Sequence, residues 1–245
     1  MRIYLNQSLV ECIGQQIDLP DAQARHVGKV MRARVGQSLV LFNGRGEEVA
    51  ARVDSVERRR VVVSLLESRA VMPESPLQVH LGQVISKGDR MDYVVQKATE
   101  LGVSSITPLY SARADVRLDA AREAKKLEHW RNVAISACEQ CGRGWLPEVA
   151  SPQGLDDWLA QRHEPLKLVL HPQPAGNSPD IPAFDPDVSR ETALLVGPEG
   201  GLEEGEVAAA IRHGFVPRVF GPRILRTETA PVVALSILQY LYGDF

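Results

Sequence analysis

From Leu77 onward, short apolar runs alternate with segments whose apolar residues recur at helical spacing. Few folds tolerate that alternation. Strand candidates are Leu77–Ile85, Ser105–Leu109, Leu166–Leu170, Thr192–Val196 and Val216–Phe220. Between the first two, Met91, Val94, Val95, Ala98 and Leu101 make a helical stripe, and Gly102 supplies a left-handed stop. A long helix is expected over Asp119–Cys141, with Ala124, Leu127, Trp130, Ala134, Ala137 and Cys141 on one side. Further helices are expected at Glu203–His213 and, strongly apolar, at Thr229–Tyr242. The pattern predicts an α/β domain with a parallel sheet covered on both faces. The proline-rich stretch Pro172–Ser189 is expected to be a loop.

The first 72 residues follow a different pattern. Runs at Ser38–Phe42, Glu48–Val56 and Arg60–Leu66 read as strands, and turn residues such as Asn43-Gly44-Arg45-Gly46 separate them. That is the texture of a small β-barrel or sandwich. One short helix, Asp21–Met31, interrupts it, and spacings of four and three place Arg25, Lys29 and Arg32 on one helical face. The segment Ser68–Pro76, with two prolines, reads as a linker. The expected domains are therefore 1–72 and 73–245. Residues 1–72 carry 11 Lys+Arg against 8 Asp+Glu, and the remainder 17 against 23, so the formal net charge of −3 conceals a basic module joined to an acidic one. A polyanion is one candidate partner for the basic part, although so small a surplus also arises by scatter.

Several classes are disfavoured. No apolar run approaches the ~20 residues of a membrane span, and the N-terminus has no apolar signal segment. Three cysteines (Cys12, Cys138, Cys141) cannot all pair internally, which points to a reducing compartment, the cytoplasm. Cys138-Glu139-Gln140-Cys141 fits CxxC but stands alone, and the six histidines show no ligand spacing, so no metal is expected. Gln140 and Arg143, at the end of that helix, are the better candidates for polar groups facing a cleft.

Ligands of open parallel sheets bind beyond the carboxyl ends of the strands. Three such ends carry unusual sequences here: Leu170-His171-Pro172, VGPEGGL (196–202) and GPRILRTETA (221–230). The glycines of the second loop allow a ligand to approach the main chain. The loop has neither the Lys-Ser/Thr of a Walker A motif nor the spacing of GxGxxG, which argues against a dinucleotide oxidoreductase. In the third, Thr227 or Thr229 is a candidate helix cap. Arg226 has the chemistry to orient an anion or carbonyl, and Glu228 to accept a proton. Spacing alone leaves a plain surface ion pair equally open.

GPEGGLEEGE (197–206) followed by GPRILRTETAP (221–231) resembles the signature pair of SPOUT-class, knotted methyltransferases of the RsmE type, which methylate N3 of a 16S rRNA uridine. Supporting segments are KGDRMDYVVQKATELGV (87–103), Ile106-Thr107-Pro108, Arg113, Glu139–Arg143 and HVGKVMRARVG (26–36), so the resemblance covers essentially the whole chain. It implies a PUA-like RNA-binding β-barrel, then a SPOUT-type parallel sheet with a C-terminal trefoil knot, and a homodimer that completes each active site. S-adenosylmethionine would lie against Leu170, His171, Gly197, Pro198, Glu199, Gly200, Gly201, Phe220, Gly221, Ile224, Leu225, Arg226, Thr227, Thr229 and Ala230. The substrate would be 16S rRNA, read by shape within the small ribosomal subunit.

Uracil N3 carries a proton that must leave or be stabilised as it departs. Glu228 is the expected base, Glu199 the competing carboxylate, and Arg226 the stabiliser of charge on a uracil oxygen. Phosphate contacts are expected from Arg2, Arg25, Lys29, Arg32, Arg34 and Arg45, and further RNA contacts from Arg113, Gln140 and Arg143. Two alternatives stand: a SPOUT enzyme with another RNA target, and an RNA-binding assembly factor whose cofactor pocket has degenerated.

Overall fold

Strands β1 (Arg2–Tyr4), β2 (Gln16–Asp18), β3 (Ser38–Phe42), β4 (Glu48–Val56) and β5 (Val61–Ser68) form one sheet in the order β1-β3-β4-β5-β2. The computed structural model describes residues 1–114, 119–171 and 191–245. The core strands pair antiparallel, Val40 opposite Ala50 and Val53 opposite Val63, and β1 joins β3 in parallel. Strand periodicity sets the inside: Val61, Val63 and Leu65 of β5 are buried with Leu39 and Leu41 of β3 and Val49, Ala51 and Val53 of β4. β1 and β2 are three residues each, too short to show alternation in the sequence.

The helix expected over Asp21–Met31 is shorter than its pattern suggests. Helix α1 covers Asp21–Arg25, and the next turn, His26–Val30, is wider, closed by Met31 N–H donating to His26 O five residues back. Arg32 then takes a left-handed backbone, φ +50°. Arg25, Lys29 and Arg32 therefore do not share one helical face. The turn also lies against the β4–β5 hairpin: a methyl on Gly28 would sit 3.6 Å from both Val56 Cγ1 and Val61 Cγ2.

The second sheet is wholly parallel. Its elements are β6 (Gln78–Val84), α2 (Arg90–Glu100), β7 (Ser105–Tyr110), α3 (Ala120–Cys141), β8 (Glu148–Val149), β9 (Gln153–Gly154), α4 (Leu155–Ala160), β10 (Leu166–Leu170), β11 (Glu191–Val196), α5 (Glu204–Arg212), β12 (Val216–Arg218) and α6 (Thr229–Tyr242). The order is β12-β10-β11-β6-β7-β8, with β9 also pairing β7. Because all strands run one way, the carboxyl ends of β12, β10, β11 and β6 share an edge. One glycine is fixed by packing: a Cβ on Gly82 of β6 would lie 2.7 Å from the Trp158 ring, so only glycine leaves room for the buried indole. Pro172–Ser189 lies outside the described residues.

The division of the chain is not linear. One unit comprises Met1–Glu74 with Ile135–Leu146, and the other Ser75–Ala134 with Pro147–Phe245. Residues 135–146, part of the expected 73–245 domain, cluster with the first unit. That segment is tied to the first sheet by main-chain bonds, Gly46 N–H to Gly144 O (3.3 Å) and Leu146 N–H to Gly44 O (3.0 Å), and by the Arg45–Trp145 bridge. Main-chain pairing of residues so distant in sequence leaves no periodic signal.

Candidate active site

Three loops at the carboxyl edge of the second sheet enclose a cleft of about 540 Å³, within the range of small-molecule sites. From β10 come Leu170 and His171; from β11 and the loop after it, Val196 through Leu202; from the segment before α6, Ile224 through Glu228; Ala230 belongs to the first turn of α6, and Arg90 enters from the start of α2.

The glycine loop is shaped by its own bonds. Gly201, φ +71°, donates its N–H to Pro198 O at 2.9 Å, which closes a tight turn. Leu202 folds back so closely that a Cβ on Gly197 would lie 3.0 Å from Leu202 Cγ and 3.2 Å from its nitrogen. Helix α5 begins with a capping box between Glu203 and Glu206. Glu206 also accepts the Ala112 N–H (2.8 Å), and Arg113 donates to Gly200 O (3.1 Å).

Thr227 does not cap the last helix. Its buried hydroxyl donates to Gly197 O at 2.7 Å and accepts from Gln83 Nε2 at 3.2 Å, joining the third loop to the second and to β6. Thr229 is the first residue of α6, Glu228 precedes it, and neither makes a side-chain cap bond. The turn into α6 is instead held by Arg226 O, which accepts the N–H groups of Thr229 (2.9 Å) and Ala230 (3.0 Å).

Four charges meet in the cleft. Arg90 forms an ion pair with Glu199, which also accepts the Lys87 N–H at 3.3 Å. Arg90 Nε lies 3.8 Å from Glu228 Oε2, and Arg226 Nη1 lies 4.0 Å from Glu228 Oε1. The Glu228 side chain is 18% exposed and that of Arg226 80%. Glu228 Oε2 is buried and accepts no hydrogen bond among the described residues. Of the two carboxylates, Glu199 is committed to Arg90 and Lys87. Among the described residues Glu228 makes no hydrogen bond through Oε2 and is contacted more loosely, by two guanidinium groups at 3.8 and 4.0 Å.

Most of the residues singled out from the sequence meet here. Leu170, His171, Gly197, Pro198, Glu199, Gly200, Gly201, Ile224, Leu225, Arg226, Thr227, Glu228 and Ala230 line the cleft. Phe220 lines a smaller neighbouring hollow of about 90 Å³. Gly221 (φ +78°) and Thr229 shape the loop without lining either space. Arg90 is not marked by the sequence pattern: on an amphipathic helix it reads as one more solvated charge, and the signal it carries is its place at the head of α2, the helix that follows the carboxyl end of β6.

The expected RNA contacts divide. Arg25, Lys29, Arg32, Arg34, Arg45 and Gln140 are exposed. Arg2 instead pairs with Glu48 (2.7 Å), donates to Arg143 O (3.0 Å) and covers the Phe42 ring (4.7 Å). Arg143, 12% exposed, faces Glu74 at 3.5 Å. Neither presents its charge outward, because each is consumed within the first unit. Gln140 and Arg143 belong to the first unit. Arg113 is engaged with the glycine loop, as described above.

The CxxC pair carries no site. Burial pushes the Cys138 thiol up to about 12, and it donates weakly to Trp145 O at 3.7 Å. Among the described residues no group of His, Cys, Asp and Glu is arranged to hold a metal ion. Native protein treated with iodoacetamide at pH 8 should leave Cys138 unmodified, whereas urea-unfolded protein should be labelled there, as peptide mass spectrometry would report.

Comparison with known proteins agrees with this geometry. An RNA methyltransferase domain family matches residues 73–239, and an RNA methyltransferase PUA domain family matches residues 19–66. Ribosomal RNA small subunit methyltransferase E of Buchnera aphidicola (Schizaphis graminum) is 35% identical, over 99% of this chain and 97% of its own. This chain belongs to that methyltransferase family. Its Bacillus subtilis relative is 32% identical over 98% of this chain and 100% of its own. The solved methyltransferase E of Neisseria gonorrhoeae, bound to S-adenosyl methionine, is 41% identical with a TM-score of 0.92, covering 100% of this chain and 98% of that one. The loops of the cleft thus fall within the RNA methyltransferase domain match, and strands β3, β4 and most of β5 within the PUA domain match. Among the described residues no helix is long and apolar enough to cross a membrane.

Proposed function

We propose that the chain is an S-adenosylmethionine-dependent methyltransferase acting on N3 of one uridine of 16S rRNA, in the cytoplasm and with the small ribosomal subunit as substrate. The observation that carries this reading is the cleft itself. Glycine-rich backbone and a charged cluster meet at one sheet edge, in a space sized for a nucleoside-like ligand. The residues fit the cofactor: Gly197, Gly200 and Gly201 leave main chain open to a close-lying ligand, and Leu170, Ile224 and Leu225 offer apolar cover. Bound there, S-adenosylmethionine supplies an electrophilic methyl group on a sulfonium.

The chain's own part is to align and to manage a proton. The three loops hold the methyl donor and the target base in contact, a proximity effect. Glu228, held more loosely than Glu199 and with one oxygen that makes no hydrogen bond among the described residues, accepts the uracil N3 proton. Arg226, largely exposed at the mouth, stabilises negative charge on a uracil oxygen as the proton leaves. Arg90 holds Glu199 and, with it, the glycine loop.

Three finer points belong to the same reading. Tyr240, Leu241 and Phe245, exposed at the end of the apolar last helix, support a homodimer. Free cysteines support a reducing compartment. The Thr227–Gly197 bond, which lays the last loop across the loop of β11, is consistent with the trefoil threading expected from the resemblance.

Calorimetry followed by a methylation assay tests the proposal. Purified chain should bind S-adenosylmethionine saturably and transfer its methyl to 16S rRNA, yielding 3-methyluridine on nucleoside analysis. No saturable binding would favour an assembly factor, and a different methylated nucleoside would retain the enzyme but reject the target atom.

A further inference from the structure

The first unit contains a second concavity, of about 450 Å³, lined by Asp21, Arg25, Lys29, Arg58 and Arg59. We propose that it is a phosphate pocket that grips the RNA backbone, an inference that rests on RNA being the substrate.

Two local features build it. The widened turn after α1 carries Lys29 on a segment packed against Val56 and Val61. The hairpin between those two valines then turns back sharply, with Glu57 N–H donating to Arg60 O at 2.8 Å, and so delivers Arg58 and Arg59 to the same hollow. Extended turns of this kind inside helices recur at functional sites. Arg60, next in sequence, behaves differently: it makes a two-point contact with Asp18, at 2.6 and 3.1 Å.

Charge indicates the ligand. Arg25, Lys29, Arg58 and Arg59 form no ion pair with a described carboxylate, and Asp21 is the single acid in the lining. Four cations around one hollow repel one another, so the cluster gives the fold no stability and is suited to an anion. Among the described residues no aromatic or apolar side chain lines the space, so none of them offers a surface on which a base would stack. The pocket therefore suits phosphates, setting register without reading sequence. The four groups come from two separate segments, which explains why helical spacing alone grouped Arg25 and Lys29 with Arg32 and overlooked the hairpin arginines.

The test compares two variants of equal charge. With the full chain and a 16S rRNA transcript, R58Q/R59Q should raise the RNA dissociation constant about ten- to hundredfold near 0.1 M salt. The slope of log affinity against log salt should fall by about 1.5, from roughly 0.7–0.9 per cation lost. R52Q/R69Q removes the same charge from exposed positions outside the pocket and should change both quantities much less. R58K/R59K should restore the slope. Equal effects from the two glutamine variants, or none from R58Q/R59Q while its melting temperature is unchanged, would overturn the pocket. If the unmodified chain binds S-adenosylmethionine but not rRNA, the proposed substrate fails instead.

Discussion

Glu228→Gln should lower methyl-transfer turnover by about a hundred- to ten-thousandfold, the range typical of a lost general base. The substitution keeps the shape of the side chain, and with it the packing of a residue that is 18% exposed at the head of α6. It replaces the carboxylate that, among the described residues of the cleft, has a buried oxygen without a hydrogen bond. Cofactor affinity, measured by calorimetry, should be essentially retained, because the cleft walls and the Thr227 bond are untouched. Glu199→Gln should act in the opposite sense. Glu199 is held by Arg90 and Lys87, so its loss loosens the glycine loop and should raise the cofactor dissociation constant more than it lowers turnover at saturation. If Glu228→Gln turns over normally at saturating cofactor, the base lies elsewhere and Glu199 becomes the candidate.

The second large effect is expected at Thr227. Thr227→Val keeps the volume but deletes a buried hydroxyl that bridges Gln83 and Gly197. Gly197 O loses its donor, Gln83 Nε2 keeps only its bond to Val84 O (3.1 Å), and Gln83 Oε1 already accepts no hydrogen bond among the described residues. Unsatisfied buried groups cost about 1–3 kcal/mol each, and water entering from the adjacent cleft relieves part of that. A loss of about 2 kcal/mol in unfolding free energy is therefore expected, together with a roughly tenfold weaker cofactor, since 1.4 kcal/mol corresponds to a factor of ten. Thr227→Ser, which retains the hydroxyl, should recover most of both. A valine variant with unchanged melting and unchanged cofactor affinity would show that the bridge does not organise the loops.

How much of this could be read in advance depended on the length and locality of each signal. Strands β3 and β4 and helix α6 have the limits that their patterns indicate, and α3 starts one residue later than expected, because each buries one periodic face. The three loops were legible for a different reason: glycines, prolines and charges at strand ends have no role in a core. What stayed hidden was set by partners remote in sequence. Thr227 had the chemistry of a cap, and only the nearness of Gly197 O makes it a bridge. Arg2 looked like a free cation until Glu48 and Phe42 were brought beside it. Helix α1 stops early because its next turn lies against Val56 and Val61, residues of a hairpin more than twenty positions away.

The central claim is that this cleft methylates one uridine of 16S rRNA. Mass spectrometry of 16S rRNA from a strain lacking the gene tests it most directly. A single 3-methyluridine should disappear, return with the wild-type chain and stay absent with Glu228→Gln. An unchanged methylation pattern in the deletion strain would contradict the account.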